Sequence, residues 1–144
     1  MLKFITFFYF IFLNVLANEE YFLTLRNDKV NLRLGPSFDY PIKIIYKKKY
    51  LPVLIKDKSD NFRKVQDHEN NSGWVHISQL SKKKSGITIK DIILYKKPTV
   101  YSKPLAKIKT GRLLMISKCK NKWCKVKTEK YSGWIEKNSV RGRL

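Results

Sequence analysis

"NNSGWVHISQL" (70–80) returns sixty positions later as "KYSGWIEKNSV" (130–140). Each copy carries Ser-Gly-Trp and an aliphatic residue near the end of its half of a 144-residue chain. Working outward, "VLIKDKSDNFRKV" (53–65) matches "LMISKCKNKWCKV" (114–126) at an offset of 61. Phe62 then corresponds to Trp123, Val65 to Val126, Trp74 to Trp134 and Leu80 to Val140. Upstream, "VNLRLGPS" (30–37) corresponds to "IILYKKPT" (92–99), with Pro36 and Pro98 in register. Self-similarity at an offset that stays between 60 and 62 means two copies of one module.

Each copy reads as short strands between turn signals. "VNLRL" alternates, which puts Val30, Leu32 and Leu34 on one face and Asn31 and Arg33 on the other. "GPSFDYP" ends that strand, because its Gly and two Pro residues cannot sustain a ladder. "LPVLIKD" and "FRKVQD" form a hairpin around "KSDN", and "HENNSG" is a second polar turn before the strand "GWVHI". Strands at this spacing, with no long amphipathic helix, indicate an all-β chain of small antiparallel barrels or sandwiches. Gly73 and Gly133 are expected to leave turns in which a missing Cβ permits positive φ. Trp74 and Trp134 are expected to cover one end of a small core, a ligand platform being the alternative.

"VNLRLGPSFDYPIKIIYKKKYLPVLI", "NFRKVQD" and "SGWVHISQLS" resemble a bacterial SH3-like domain of the exported tandem type. The second half, with "CKNKWCKV" and "SGWIEKNSV", is similar to the companion domain of that family. The resemblance spans residues 29–141, although "YKKPT" stands where the second copy would repeat the Asn-Leu-Arg signature. It implies two tandem SH3-like β-barrels of five strands each, an envelope location and no enzymatic activity of their own. Related modules in bacteria often target cell-wall hydrolases to peptidoglycan. The expected division is a signal segment over 1–17 and domains over 18–81 and 87–144, joined by the linker "SKKKSG" (81–86). So short a linker implies two barrels packed against each other.

The first seventeen residues, "MLKFITFFYFIFLNVLA", are apolar after one lysine and too short for a comfortable membrane span. They suit a secretory signal cut before Asn18, with Val15 and Ala17 as the small residues. A buried N-terminal helix and an uncleaved anchor are the alternatives. Net charge is +20, carried by Lys far more than by Arg. Such a balance suggests anionic partners, but specific base or phosphate readers lean on Arg forks. The expected partners are a cell-wall polymer or an envelope protein, with anionic membrane surface as a further contact and no specific nucleic acid. Cys119 and Cys124, in "CKNKWC", lack the Cys or His cluster of a zinc site. In an exported hairpin they suit a disulfide, worth about 2 kcal/mol; two buried thiols are the alternative.

No catalytic constellation emerges. His68 and His76 do not share a metal-binding spacing, no Cys–His–polar trio forms, and the eleven carboxylates are scattered. No cofactor, metal site or enzyme activity is expected, and His76 should lie at the barrel rim or in solvent. Between the first strand and the hairpin lie Phe38, Tyr40, Tyr46 and Tyr50, with Arg33 and Lys47–Lys49 nearby. Rings can stack on sugars or apolar side chains while Arg and Lys meet carboxylates. Arg33, Tyr40, Tyr50 and His76 are therefore the candidate ligand-binding residues. The alternative is that some of these rings are core and the lysines a solvated face.

Overall fold

A computed structural model describes residues 19–144. The proposed signal segment over 1–17 lies outside the described residues. Strand β1 (Tyr21–Leu25) precedes the predicted repeat, followed by β2 (Val30–Arg33), β3 (Ile42–Tyr46), β4 (Pro52–Ser59), β5 (Phe62–Gln66), β6 (Ser72–His76) and β7 (Leu80–Ser81). The second module repeats this series as β8 (Ser85–Thr88), β9 (Ile92–Tyr95), β10 (Pro104–Ile108), β11 (Leu113–Lys120), β12 (Trp123–Lys127), β13 (Ser132–Glu136) and β14 (Val140–Arg143). Each forms its own antiparallel sheet, ordered β3-β2-β6-β5-β4-β1-β7 and β10-β9-β13-β12-β11-β8-β14. The chain is all-β with two tandem SH3-like modules.

Each sheet has seven strands rather than five. In the first module β1 pairs with β4 and then with the short β7, while in the second β8 pairs with β11 and β14. These extra strands decide where the linker ends. Ser81 belongs to β7 and Ser85 and Gly86 to β8, so only Lys82–Lys84 lie between strands.

Alternation makes the cores. Val30 and Leu32 are fully buried with Val53, Val65 and Val75, and their counterparts Leu94, Val126 and Ile135 are fully buried in the second module. Leu34 departs from the expected pattern: it lies beyond β2 and is 57% exposed, because the chain turns at Gly35 and Pro36.

The Ser-Gly-Trp motif also has a different physical basis from the one expected. Among the described glycines only Gly111 has positive φ, at 82°. Gly73 and Gly133 lie inside β6 and β13, where neighbouring strands come too close for a side chain. A Cβ on Gly73 would stand 2.7 Å from Leu32 Cγ and 2.8 Å from the Arg33 carbonyl oxygen. One on Gly133 would stand 2.6 Å from the Tyr95 oxygen. Trp74 and Trp134 are half-buried and lie outside both core clusters. Gly73 and Val75 occupy the inner face of β6, so period two sends Trp74 outward.

Cys119 and Cys124 face each other across β11 and β12 and form a disulfide. Counting thiols on the native protein under denaturing, non-reducing conditions should return none, and two only after reduction. Two reactive thiols before reduction would mean that the pair is open in the native protein.

The modules share an interface. Ile87 of β8 is buried in the first module's core cluster, and Leu113 packs against it. The Arg143 guanidinium donates to the carbonyl oxygens of Phe22, at 2.8 Å, and Lys82, at 3.1 Å. The Ser85 hydroxyl donates to the Tyr50 carbonyl oxygen. Hydrogen bonds and apolar burial across the junction hold the modules together.

Candidate functional site

Arg33 ends β2 beside Trp74 of β6. Its Nη1 donates to the carbonyl oxygens of Tyr40, at 2.9 Å, and Phe38, at 3.2 Å, fastening the loop that follows β2. The guanidinium also stands 5.3 Å from the Phe38 ring centroid, within cation–π range. The Tyr40 ring closes over Gly35, where a Cβ would fall 2.4 Å from it. That glycine lets the loop fold back onto itself.

Phe38 is the most exposed member of the group, at 64%, yet it is held on several sides. Its ring lies 5.2 Å from Phe62, edge to face, and 5.1 Å from His76. Phe62 and His76 are register partners on β5 and β6, with rings 5.1 Å apart. His76 is further fixed through Nδ1, which lies 2.7 Å from Ser78 Oγ and accepts from the Ser78 amide at 3.2 Å. The result is an aromatic platform edged by one permanent cation and one imidazole. Three contacts orient the exposed ring before any ligand arrives, so little side-chain freedom is left to lose on binding.

The structure thus brings together Arg33, Tyr40 and His76 of the expected residues and adds Phe38 and Phe62. Tyr50 stands apart. The ammonium groups of Lys49 and Lys83 lie 5.0 and 6.0 Å from its ring. Its amide donates to the Leu25 carbonyl oxygen at 2.8 Å, and its own carbonyl oxygen accepts from Ser85 at the junction between modules. Tyr46 belongs to the core: it is buried, and its hydroxyl donates to Asp67 at 2.8 Å. Burial first, then that hydrogen bond and the negative charge nearby, push the Tyr46 phenol well above its usual range.

The same place in the second module carries different chemistry. Tyr95 replaces Arg33 beside Trp134, Trp123 replaces Phe62, and Glu136 replaces His76. Tyr95 and Trp123 meet edge to face at 5.9 Å, beside a cleft of about 670 Å³ that Trp123, Glu136 and Leu144 line. The loss of the Asn-Leu-Arg signature therefore does not leave this module without rings at the corresponding place, although Tyr95 and Trp123 are half-buried. Pairing Phe62 with Trp123 and His76 with Glu136 was the available sequence signal, because it sets a large ring opposite a polar residue in both copies.

The bacterial SH3 domain model matches residues 26–82 and again residues 90–142. The chain belongs to the bacterial SH3 domain family. No curated protein matches it. Solved structures with a similar chain trace include NlpC2 and NlpC1 from Trichomonas vaginalis, each 12% identical, with TM-scores of 0.40 and 0.39. Another is an NlpC/P60 family protein from Bacillus cereus ATCC 10987, 15% identical with a TM-score of 0.37. These alignments cover 85%, 86% and 83% of this chain but only 48%, 46% and 55% of those chains. This tandem bacterial SH3 chain spans about half the length of the structures it matches.

Proposed function

We propose that this chain is an exported, non-catalytic binding protein of the cell envelope whose first module engages peptidoglycan or its stem peptide. The observation that carries the reading is Phe38: a large apolar ring, 64% exposed, fixed by Phe62 and His76 beside Arg33. Such a platform suits a ligand that offers an apolar or sugar face next to a carboxylate. The ring stacks, and Arg33, whose loop hydrogen bonds both leave from Nη1, offers its remaining N–H groups to the anion. Family membership, the apolar N-terminal run and the disulfide support an envelope location.

Leu34 and Phe38, both exposed, favour a second reading, a scaffold that docks a partner protein. Pelleting with purified cell-wall sacculi separates the two readings, since a scaffold stays in the supernatant. Phe38→Ala should weaken sacculus binding about five-fold, the equivalent of losing one stacked ring worth about 1 kcal/mol. Lys83→Ala should change it less than about two-fold, with the effect fading as salt rises. Both variants must first show an unchanged melting temperature. Equal losses from the two, vanishing at high salt, would reduce the binding to generic charge attraction.

A further inference from the structure

Opposite chemistry gathers at another surface of the molecule. A cleft of about 610 Å³ opens over Leu94, Ile108 and Leu114, on the strands β9, β10 and β11. Four cations of the second module, Lys107, Lys109, Arg112 and Lys130, line it, and Lys48 of the first module joins them. Glu129 is the one carboxylate in its lining. None of the five cations belongs to an ion pair among the described residues. Asp91 lies close enough to Lys109 and Lys107 to feel their charge, but its Oδ1 already accepts from the amide and hydroxyl of Thr110, at 2.8 and 3.0 Å.

Five exposed cations against the single carboxylate of Glu129 give the concavity a positive potential that attracts an anion. The volume is that of an ordinary small-ligand site, which runs from roughly 300 to 1,000 Å³. Four of the five cations are lysines, compact point charges that meet phosphate oxygens singly, without the fork by which Arg holds a carboxylate or a phosphate in bidentate fashion. A ligand with several phosphates offers oxygens enough for all of them. The half-buried Ala106 and Leu113 and the exposed Tyr131, which also line the cleft, can take an uncharged body. We propose that this cleft binds a ligand carrying two or more phosphate groups, either on a soluble ester or on a lipid headgroup. Because Lys48 comes from the first module, the site is complete only when both modules are docked, which ties it to the Arg143 and Ser85 contacts.

The test is titration calorimetry of the purified chain with inorganic tripolyphosphate. Saturable binding to one site per chain is expected, weakened at least about tenfold in a Lys107→Gln/Lys109→Gln/Arg112→Gln variant. A control variant, Lys58→Gln/Lys64→Gln/Lys120→Gln, removes the same charge from exposed positions elsewhere and should weaken binding less than about two-fold. Cosedimentation with cardiolipin/phosphatidylcholine vesicles, whose cardiolipin headgroup carries two phosphates, identifies the source. Loss of vesicle binding in the cleft variant marks a headgroup site, and retention with loss of tripolyphosphate binding marks a soluble ester. Equal weakening in the two triple variants would overturn the proposal. So would tighter binding of a short single-stranded DNA oligonucleotide than of tripolyphosphate, since that would make the surface a nucleic-acid site. Phe38→Ala should leave tripolyphosphate binding unchanged, so the cleft and the aromatic platform stand or fall separately.

Discussion

Replacing Gly73 or Gly133 with alanine should lower the melting temperature of the affected module by about 10 °C. One methyl group is added, but its surroundings cannot give way. At Gly73 the new Cβ would stand 2.8 Å from the carbonyl oxygen of Arg33 and 2.7 Å from Leu32 Cγ. At Gly133 it would stand 2.6 Å from the carbonyl oxygen of Tyr95 and 3.0 Å from Leu94 Cγ. A side-chain tip can rotate away, but a carbonyl oxygen moves only with its strand. Relief therefore means parting β2 from β6, or β9 from β13, where the register joins Arg33 to Trp74 and Tyr95 to Trp134. Overpacking of this kind costs about 2 kcal/mol, and each kcal/mol shifts the midpoint of a small domain by roughly 4–8 °C. Gly111→Ala is the informative contrast. Nothing lies within 4 Å of its built Cβ, and only its φ of 82° opposes a side chain, so the cost should be nearer about 1 kcal/mol. Calorimetry that found Gly73→Ala as stable as the wild type would refute the close-approach account.

The same glycines mark how much of the fold was legible in the sequence. The repeat and the alternating runs were readable because burial at every second residue leaves a pattern, as at Val30 and Leu32 or Val65 and Val75. The reason for Gly73 was not, since it depends on Leu32 and the Arg33 carbonyl, about forty residues away. β14 was hidden for a similar cause. "VRGR" has little strand propensity, and it is held by its ladder to β8 and by Arg143 reaching Phe22. The outward turn of Trp74 was readable in principle, because Val75 must face inward. At the candidate site, sequence placed Arg33, Tyr40 and His76 in one neighbourhood. It could not separate Tyr50, which the chain carries to the junction, or show that Phe38 rests on Phe62 and His76.

Asp67→Asn should destabilise the first module by about 2 kcal/mol at neutral pH, and that deficit should shrink as the solution is acidified. Asp67 lies in the turn before β6 with its carboxylate buried. Oδ1 accepts from the amides of Glu69 and Asn71, both at 2.9 Å; Oδ2 accepts from the Tyr46 hydroxyl at 2.8 Å and Asn71 Nδ2 at 3.0 Å. An asparagine keeps one acceptor oxygen and turns an amide group toward two donors, so two of these bonds lose their acceptor. Burial by itself raises the pKa of the carboxyl, but the hydrogen bonds from Tyr46, Asn71 and Glu69 outweigh it and hold the group below its ordinary value. A depressed folded-state pKa gives stability that is complete above the unfolded value, near 3.9, and lost as pH falls through the folded one. The gap between wild type and Asp67→Asn should therefore be constant from about pH 7 to 5 and close below about pH 4. The second module is built without this carboxylate. Thr128 takes the place of Asp67, its Oγ1 accepting from the Tyr131 amide at 2.9 Å, and the buried Ile108 takes the place of Tyr46. Thr128→Ala should accordingly cost the same at every pH. Denaturant titrations of both variants at stepped pH decide the matter. A deficit for Asp67→Asn that persists unchanged at pH 3 would show that shape, and not the ionised carboxylate, holds the turn.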